Sequence, residues 1–132
     1  MKITILDDYQ NIIDKLKCFE LLKGQKVEIL HKTEKNPENL ASLIADTEII
    51  VLTRERTEIT DELLSKLPNL KLISQTGKIS NHLDLNICTK YKVLVAEGIG
   101  SPIAPAELTW ALLMNTVRQI PQAIEGMKNG KW

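Results

Sequence analysis

Short runs of β-type residues alternate with helix-type segments through the first hundred positions, and this alternation restricts the possible folds more than any other feature. The five β-type runs are residues 2–7, 26–30, 48–53, 70–75 and 93–96. The amphipathic stretches between them lie near residues 9–23, 37–46, 60–67 and 84–91. Strands that alternate with helices are joined by right-handed crossovers and pair in parallel. The sequence therefore predicts an α/β fold, a flavodoxin-like doubly wound parallel five-stranded sheet with helices on both faces.

A long apolar segment follows this domain and predicts a helix from about Pro105 to Arg118. Its large apolar side chains are more numerous than the single stripe of a surface helix; they are Leu108, Trp110, Leu112, Leu113, Met114 and Val117. At least two faces of this helix should therefore be buried against protein, either in a second copy of the chain or in the rest of a longer protein. Trp110 and Leu113 are the expected anchors of a homodimer, because they are large and about one turn apart.

Charge, hydropathy and cysteine content exclude several classes of partner. Lys plus Arg and Asp plus Glu both number 17, and no basic run is interleaved with aromatic residues, so nucleic acid is not an expected partner. No apolar run approaches the ~20 residues that span a bilayer, and no signal segment opens the chain, so we expect a cytoplasmic protein without a membrane partner. Cys18 and Cys88 lack metal-ligand or redox spacing and are interpreted as reduced structural thiols.

The loops that follow the strands are the expected place for a ligand, because open α/β sheets bind ligands beyond the carboxyl ends of their strands. Thr76-Gly77-Lys78 is the strongest candidate: a glycine lets backbone amides approach an anion, and Lys78 adds a charge. Arg54, in the neighbouring loop, could add a planar fork for a carboxylate. The same residues also fit an ordinary turn with a surface ion pair, such as Arg54 with Glu55 or with Glu97. The sequence leaves both interpretations open.

Gly98-Ile-Gly100 follows a strand and precedes a helix, which is the setting of a dinucleotide-binding turn. The third glycine of that fingerprint is absent, since position 103 is Ile and position 102 is Pro. We therefore interpret the segment as a flexible lead into the long helix and not as a cofactor site.

Three further polar groups receive structural interpretations. Asp7 and Asp8 resemble the acidic pocket of response-regulator receivers, but no acceptor Asp ends the third strand, so a capping or turn role is favoured. His82 and Asp84 are two positions apart at the start of a helix and should not face each other, which argues against a catalytic pair. His31 is expected to be solvated only.

Five stretches of the chain, in this order, resemble the D-isomer-specific 2-hydroxyacid dehydrogenases, the family of phosphoglycerate dehydrogenase and glyoxylate/hydroxypyruvate reductase. They are Thr53-Arg-Glu-Arg-Thr57, Leu67-Pro-Asn-Leu-Lys-Leu-Ile-Ser-Gln-Thr-Gly77, His82-Leu-Asp-Leu85, Val93-Leu-Val-Ala-Glu-Gly-Ile-Gly-Ser-Pro102 and the helix that starts at Ala104. The resemblance implies that residues 1–101 form a substrate (catalytic) domain. It also implies that residues 102–132 form an interdomain helix and the start of a nucleotide-binding domain.

The resemblance also assigns roles to single residues. The loop Thr76–Lys78 would hold the carboxylate of a small 2-hydroxy or 2-oxo acid with its backbone amides, with help from Arg54. The side of the loop that faces the interdomain cleft would touch the nicotinamide end of the cofactor, which makes Lys78 a cofactor-binding candidate as well. Asp84 would cap the helix that follows. Ile79 departs from the family pattern, because many relatives have a second glycine there.

The parts of the family's machinery that transfer a hydride are not found in this sequence: the GxGxxG cradle, the Arg that grips the substrate and the His–Glu pair. The resemblance thus implies the substrate-binding part of an NAD(P)-dependent D-2-hydroxyacid dehydrogenase, which reversibly reduces a 2-oxo acid to a D-2-hydroxy acid. NAD or NADP would serve the complete enzyme. For this chain alone we expect no cofactor, no catalytic residue, no metal, only weak binding of the acid, and no activity. The alternative is a free-standing small-carboxylate-binding or dimerisation module without catalysis.

Overall fold

The five strands of the computed structural model, which describes residues 1–131, form one sheet whose strands all run parallel. The strands are β1 (Lys2–Ile5), β2 (Lys26–Ile29), β3 (Ile49–Leu52), β4 (Leu72–Gln75) and β5 (Leu94–Glu97). Their order in the sheet is β2-β1-β3-β4-β5, which is the flavodoxin-like order, with its switch point between β1 and β3. The predicted fold class is therefore confirmed. The first four strands are one or two residues shorter than the predicted runs, and β5 is shifted by one residue.

Side-chain caps fix where three helices of the first hundred residues begin. The helices are α1 (Pro37–Leu43), α2 (Asp61–Ser65) and α3 (Leu85–Lys90). Asn36 and Thr60 accept hydrogen bonds from amides of the first turn of α1 and α2. Asp84 does the same for α3, by accepting from the amide of Asn86 at 2.7 Å. Such caps satisfy amides that have no partner within the helix, and the predicted capping role of Asp84 is confirmed.

The predicted amphipathic helix over residues 9–23 is wrong. Two short 3₁₀ helices, Ile13–Lys15 and Lys17–Leu22, occupy this stretch, and neither contains a buried residue. Asn11 has a left-handed backbone, with φ 53°, and the Asp8 carboxylate accepts from the amides of Ile12 and Ile13. The chain is thereby turned before a helix can start, and the apolar spacing never faces the core.

The core lies where the central strands meet the helices. Ile50 of β3 and Ile73 of β4 pair in the parallel register and are fully buried, as is Leu52. Leu63 of α2 and Ile44, next to α1, belong to the same buried cluster. Because β3 and β4 are held rigidly by this core, the loops at their carboxyl ends start from fixed positions.

The chain divides into two compact units, Met1–Ile99 and Gly100–Trp132. The second unit contains α4 (Ile103–Val117) and α5 (Ile120–Lys128). The end of α4 lies one residue before the predicted end at Arg118. Gln119 separates the two helices because its backbone is left-handed, with φ 51°. No residue of α4 is buried. The assignment of residues 102–132 to an interdomain helix and the start of another domain stays a prediction, and its last residue, Trp132, lies outside the described residues.

Candidate functional site

The loops after β1, β3 and β4 are fastened to one another by threonine hydroxyls at the carboxyl edge of the sheet. Thr53 Oγ1 donates to the carbonyl of Leu6 at 2.6 Å, and Thr76 Oγ1 donates to the carbonyl of Leu52 at 2.9 Å. Thr76 Oγ1 also accepts from the amide of Arg54 at 3.0 Å. The structure thus brings together Arg54 and Thr76, two of the residues that the sequence singled out.

Gly77 and Arg54 fit against each other. Gly77 has φ +97°, and a Cβ atom added to it would lie 2.7 Å from Nη1 of Arg54. The guanidinium therefore fills the space that a side chain at position 77 would need. Arg54 itself has φ 62°, a left-handed conformation that costs a non-glycine residue roughly 1 kcal/mol. Local strain of this kind persists where the surroundings impose it, and it is frequent at binding sites.

Two neighbouring backbone amides of this loop are free to bind a ligand. Among residues 1–131, the amides of Gly77 and Lys78 have no hydrogen-bond acceptor, whereas those on either side are satisfied. The amide of Thr76 donates to the carbonyl of Leu52 at 3.0 Å, and that of Ile79 donates to Glu97 at 3.0 Å. Free backbone amides and a guanidinium are both groups that bind anions.

The side chain of Lys78 is engaged elsewhere, because its ammonium forms an ion pair with Glu97. This pair, followed by the amide of Ile79, lowers the pKa of Glu97, so the carboxylate is ionised at neutral pH. A substrate or cofactor that contacts Lys78 would have to share its ammonium with Glu97 or displace Glu97. Nε of Arg54 lies 3.6 Å from Oε2 of Glu55. This ion pair is exposed, and exposed ion pairs contribute little to stability. The ion-pair interpretation and the anion-site interpretation of this loop are therefore compatible.

Gly98 is packed against Gly77 and is not a phosphate cradle. Its amide donates to the carbonyls of Gln75 at 3.1 Å and Gly77 at 2.9 Å, so it is not available to a ligand. A Cβ atom on Gly98 would lie 2.8 Å from the backbone nitrogen of Gly77. The sequence interpreted this glycine only as part of a lead into the helix. Its actual role is to let two loops approach closely.

A second polar cluster next to this loop was missed by the sequence interpretation. The buried carboxylate of Asp7 accepts from Thr57 Oγ1 at 2.6 Å. Arg56 donates to the carbonyl of Asp7 at 2.8 Å and to the hydroxyl of Tyr9 at 2.9 Å, and its guanidinium lies 4.1 Å from the centre of the Tyr9 ring. These contacts join the loops after β1 and β3, and no sequence spacing signals them.

The capping role predicted for the acidic pair is confirmed for Asp8, which accepts from two amides of the following turn. His31 is not only solvated: its Nδ1 lies 3.1 Å from the carbonyl oxygen of Asp8, although half of the side chain is exposed.

The sequence predicted that His82 and Asp84 do not pair, and they do not. His82 is instead buried, and Nε2 lies 3.1 Å from Oε1 of Gln75. The buried end of β4 was the available signal, because a buried glutamine amide needs a partner.

Both cysteines are free, as predicted, but only Cys88 is buried, and Cys18 is exposed and so not part of the core. Burial, followed by the charge of Asp84, raises the pKa of the Cys88 thiol.

Within residues 1–131 no three His, Cys, Asp or Glu side chains are grouped so that they could hold a metal ion. No helix in the described part of the chain has both the length and the apolar character needed to cross a bilayer.

The chain is similar to a family of known proteins. Residues 4–129 match a family model described as D-isomer specific 2-hydroxyacid dehydrogenase, catalytic domain. D-3-phosphoglycerate dehydrogenase of Rattus norvegicus is 31% identical over 116 residues, which cover 87% of this chain and 22% of that protein. The crystal structure of phosphoglycerate oxidoreductase from Vibrio cholerae O395 is 50% identical, with a TM-score of 0.83, over 100% of this chain and 42% of the other.

A second solved structure with a similar fold contains NAD. NAD-dependent formate dehydrogenase from Staphylococcus aureus, in complex with NAD, is 25% identical with a TM-score of 0.68, over 100% of this chain and 43% of the other. The present chain thus spans about a fifth of the length of the curated relative and about two fifths of the solved chains.

Proposed function

Because the chain belongs to the D-isomer-specific 2-hydroxyacid dehydrogenase family, we propose that it is the substrate-binding part of an NAD(P)-dependent enzyme that reversibly reduces a 2-oxo acid to a D-2-hydroxy acid. The binding site is the loop Thr76–Lys78 together with Arg54. The observation that carries this proposal is the pair of unoccupied amides, of Gly77 and Lys78, beside the Arg54 guanidinium.

The chemistry of the loop fits a carboxylate. A carboxylate has two oxygens that only accept hydrogen bonds, and two adjacent amides can each donate to one of them. The guanidinium offers further donors and balances the negative charge. Gly77 leaves no side chain between the ligand and these donors. A neutral ligand would gain less from this site, because charge-assisted hydrogen bonds are about twice as strong as neutral ones.

The cofactor of the complete enzyme is proposed to be NAD or NADP, on the strength of the family and of the S. aureus relative. When bound, a nicotinamide cofactor supplies or removes the hydride. The residues described here do not fit its diphosphate, because the amide of Gly98 is used internally and Ile103 stands where the fingerprint needs a third glycine. At the nicotinamide end, the ammonium of Lys78 would be shared with Glu97 or released from it. This chain alone is therefore proposed to be inactive.

Titration of the labelled chain with glyoxylate, pyruvate and phosphoglycerate tests the site. We expect amide chemical shifts to change at Gly77 and Lys78, with a dissociation constant on the order of 1 mM, because a half-open site makes few contacts. Arg54→Ala should weaken binding about tenfold by removing a charged donor. Arg118→Ala, which removes an arginine from α4's end, is the matched control and should have no effect. NAD should leave the spectrum unchanged. Shifts centred on Asp7 and Asp8 would contradict the assignment.

A second candidate function, a free-standing small-carboxylate-binding or dimerisation module without catalysis, is favoured by one observation. The free amides and the guanidinium all lie in the unit Met1–Ile99, so an acid could bind without any further domain. The DNA that follows this coding sequence separates the two functions. An in-frame domain with a GxGxxG turn supports the dehydrogenase, and an unrelated gene supports the module.

We also propose that α4 pairs with a second copy of the chain. Trp110 is 64% exposed and Leu113 is 50% exposed, and contiguous exposed apolar surface of this kind usually marks an interface. Sedimentation should show a dimer for the wild type and a monomer for the double variant Trp110→Ala, Leu113→Ser. Leu21→Ser, which changes an even more exposed leucine of the other unit (85%), should remain dimeric. A wild type that stays monomeric at high micromolar concentration would refute the proposal.

A further inference from the structure

A buried pair of polar side chains, Gln75 and His82, lies directly behind the candidate loop. Gln75 is the last residue of β4 and is 3% exposed, and His82 is 8% exposed. Nε2 of His82 lies 3.1 Å from Oε1 of Gln75. The side-chain nitrogen Nε2 of Gln75 lies 3.5 Å from the backbone carbonyl oxygens of both Thr76 and Lys78. His82, Gln75 and two carbonyls of the loop thus form one connected series of polar contacts.

The chemistry of these groups fixes which atom donates at each contact. An amide oxygen only accepts hydrogen bonds, so Nε2 of His82 carries the proton that it shares with Gln75. The reverse orientation of the Gln75 amide would place its oxygen against two carbonyl oxygens, which repel it. The loop carbonyls and the proton on Nε2 of His82 therefore favour the same orientation of the Gln75 amide. In the neutral ring this leaves Nδ1 as an acceptor, and among residues 1–131 it is buried without a partner.

The partners of the loop carbonyls show where the loop amides point. No peptide bond in the described residues is cis, and in a trans peptide the carbonyl and the following N–H point in opposite directions. The carbonyl of Thr76 faces Gln75, so the N–H of Gly77 points away from it. By the same geometry, the carbonyl of Gly77 accepts from Gly98 at 2.9 Å, and the N–H of Lys78 points away from Gly98.

We propose that His82 is a positioning residue: through Gln75 it turns the amide of Gly77 toward the carboxylate of the substrate. This role rests on the proposed function of the loop. His82 touches no reacting atom. Its effect reaches the ligand only through the orientation of one peptide plane, and a side chain that donates from the same place should replace it.

Two substitutions of similar size separate positioning from simple packing. His82→Met removes the donor and keeps most of the volume, whereas His82→Gln keeps an N–H donor at a similar distance from the backbone. We expect His82→Met to raise the dissociation constant for pyruvate about tenfold, as the loss of an orienting hydrogen bond would, and to move the Gly77 amide resonance without ligand. His82→Gln should restore both. Leu83→Ala, a neighbouring core change, should lower the midpoint of thermal unfolding but leave the dissociation constant unchanged.

The imidazole nitrogen resonances of the wild type give an independent measurement, which needs neither a variant nor a ligand. They should show a proton on Nε2 and none on Nδ1. The opposite tautomer overturns the proposal, and so does a His82→Met chain that has the wild-type Gly77 resonance. If the wild type binds no carboxylate near Gly77, the proposed function fails, but the tautomer and the ligand-free Gly77 resonance still decide whether His82 orients the loop.

Discussion

The Gly98→Ala chain is expected to lose carboxylate binding and to be less stable than the wild type by about 1–3 kcal/mol, the usual cost of forcing atoms into a packed region. A Cβ atom at this position would lie 2.8 Å from the backbone nitrogen of Gly77 and 3.5 Å from the carbonyl oxygen of Gln75. Neither of these backbone atoms can rotate aside. The loops after β4 and β5 must therefore separate, and the two hydrogen bonds of the Gly98 amide must lengthen or break.

Urea unfolding measures the loss of stability, and the pyruvate titration measures the loss of binding. Gly126→Ala is the matched control: the same methyl group is added within α5, where the nearest atom is the Lys131 carbonyl oxygen at 3.4 Å. Alanine favours a helix over glycine by up to about 1 kcal/mol, so this control should be neutral or slightly stabilising. A Gly98→Ala chain that unfolds at the wild-type urea concentration and still binds pyruvate would show that the loops yield more easily than we infer.

Gly77→Ala is expected to weaken carboxylate binding about tenfold, as Arg54→Ala does, at a smaller cost in stability than Gly98→Ala. The new methyl group would lie 2.7 Å from Nη1 of Arg54, and because that atom ends a flexible side chain, the guanidinium can move away. Its displacement removes a donor from the site. The positive φ of +97° adds conformational strain of about 1–2 kcal/mol, because the left-handed region is unfavourable for alanine.

Gly24→Ala separates the two effects of this substitution. Gly24 has nearly the same backbone angle, φ +89°, but no atom lies within 4 Å of its Cβ position. Both variants should lose a similar amount of stability on urea unfolding. Only Gly77→Ala should need about ten times more pyruvate than the wild type to shift the amide resonances of residues 77 and 78. Equal binding by the two variants would mean that the position of Arg54 does not matter to the site.

Much of the fold could be predicted from the sequence because its signals are local. The alternation of β-type and helix-type segments determines a parallel sheet, and Thr60 and Asp84 cap helices as their residue types favour. Residues 9–23 show where local signals fail. Their apolar spacing suits a helix, but the Asp8 carboxylate and the left-handed Asn11 turn the chain first. That competition depends on one side-chain contact, which periodicity does not contain.

The candidate site was predictable only in part. Arg54 and Thr76 could be placed together because both follow strands of a parallel sheet, whose carboxyl ends share one edge. The approach of Gly98 to Gly77 depends on the register in which Gln75 of β4 pairs with Glu97 of β5, and sequence patterns do not give register between separate strands. The contact of His82 with Gln75 depends instead on the path of the loop that joins them, and the buried end of β4 was its only signal in the sequence.

The threonine hydrogen bonds at the edge of the sheet bear on how the site can be re-engineered. Thr53 binds the end of β1, and Thr76 binds the end of β3 while also accepting from Arg54. Neighbouring loops therefore share their anchoring atoms. A single loop replaced by that of a relative, in order to change the proposed acid, would lose these hydrogen bonds unless the adjacent loop were replaced as well. The proposed acid site should thus be exchanged between relatives in blocks of adjacent loops, and single-loop chimaeras should misplace both loops.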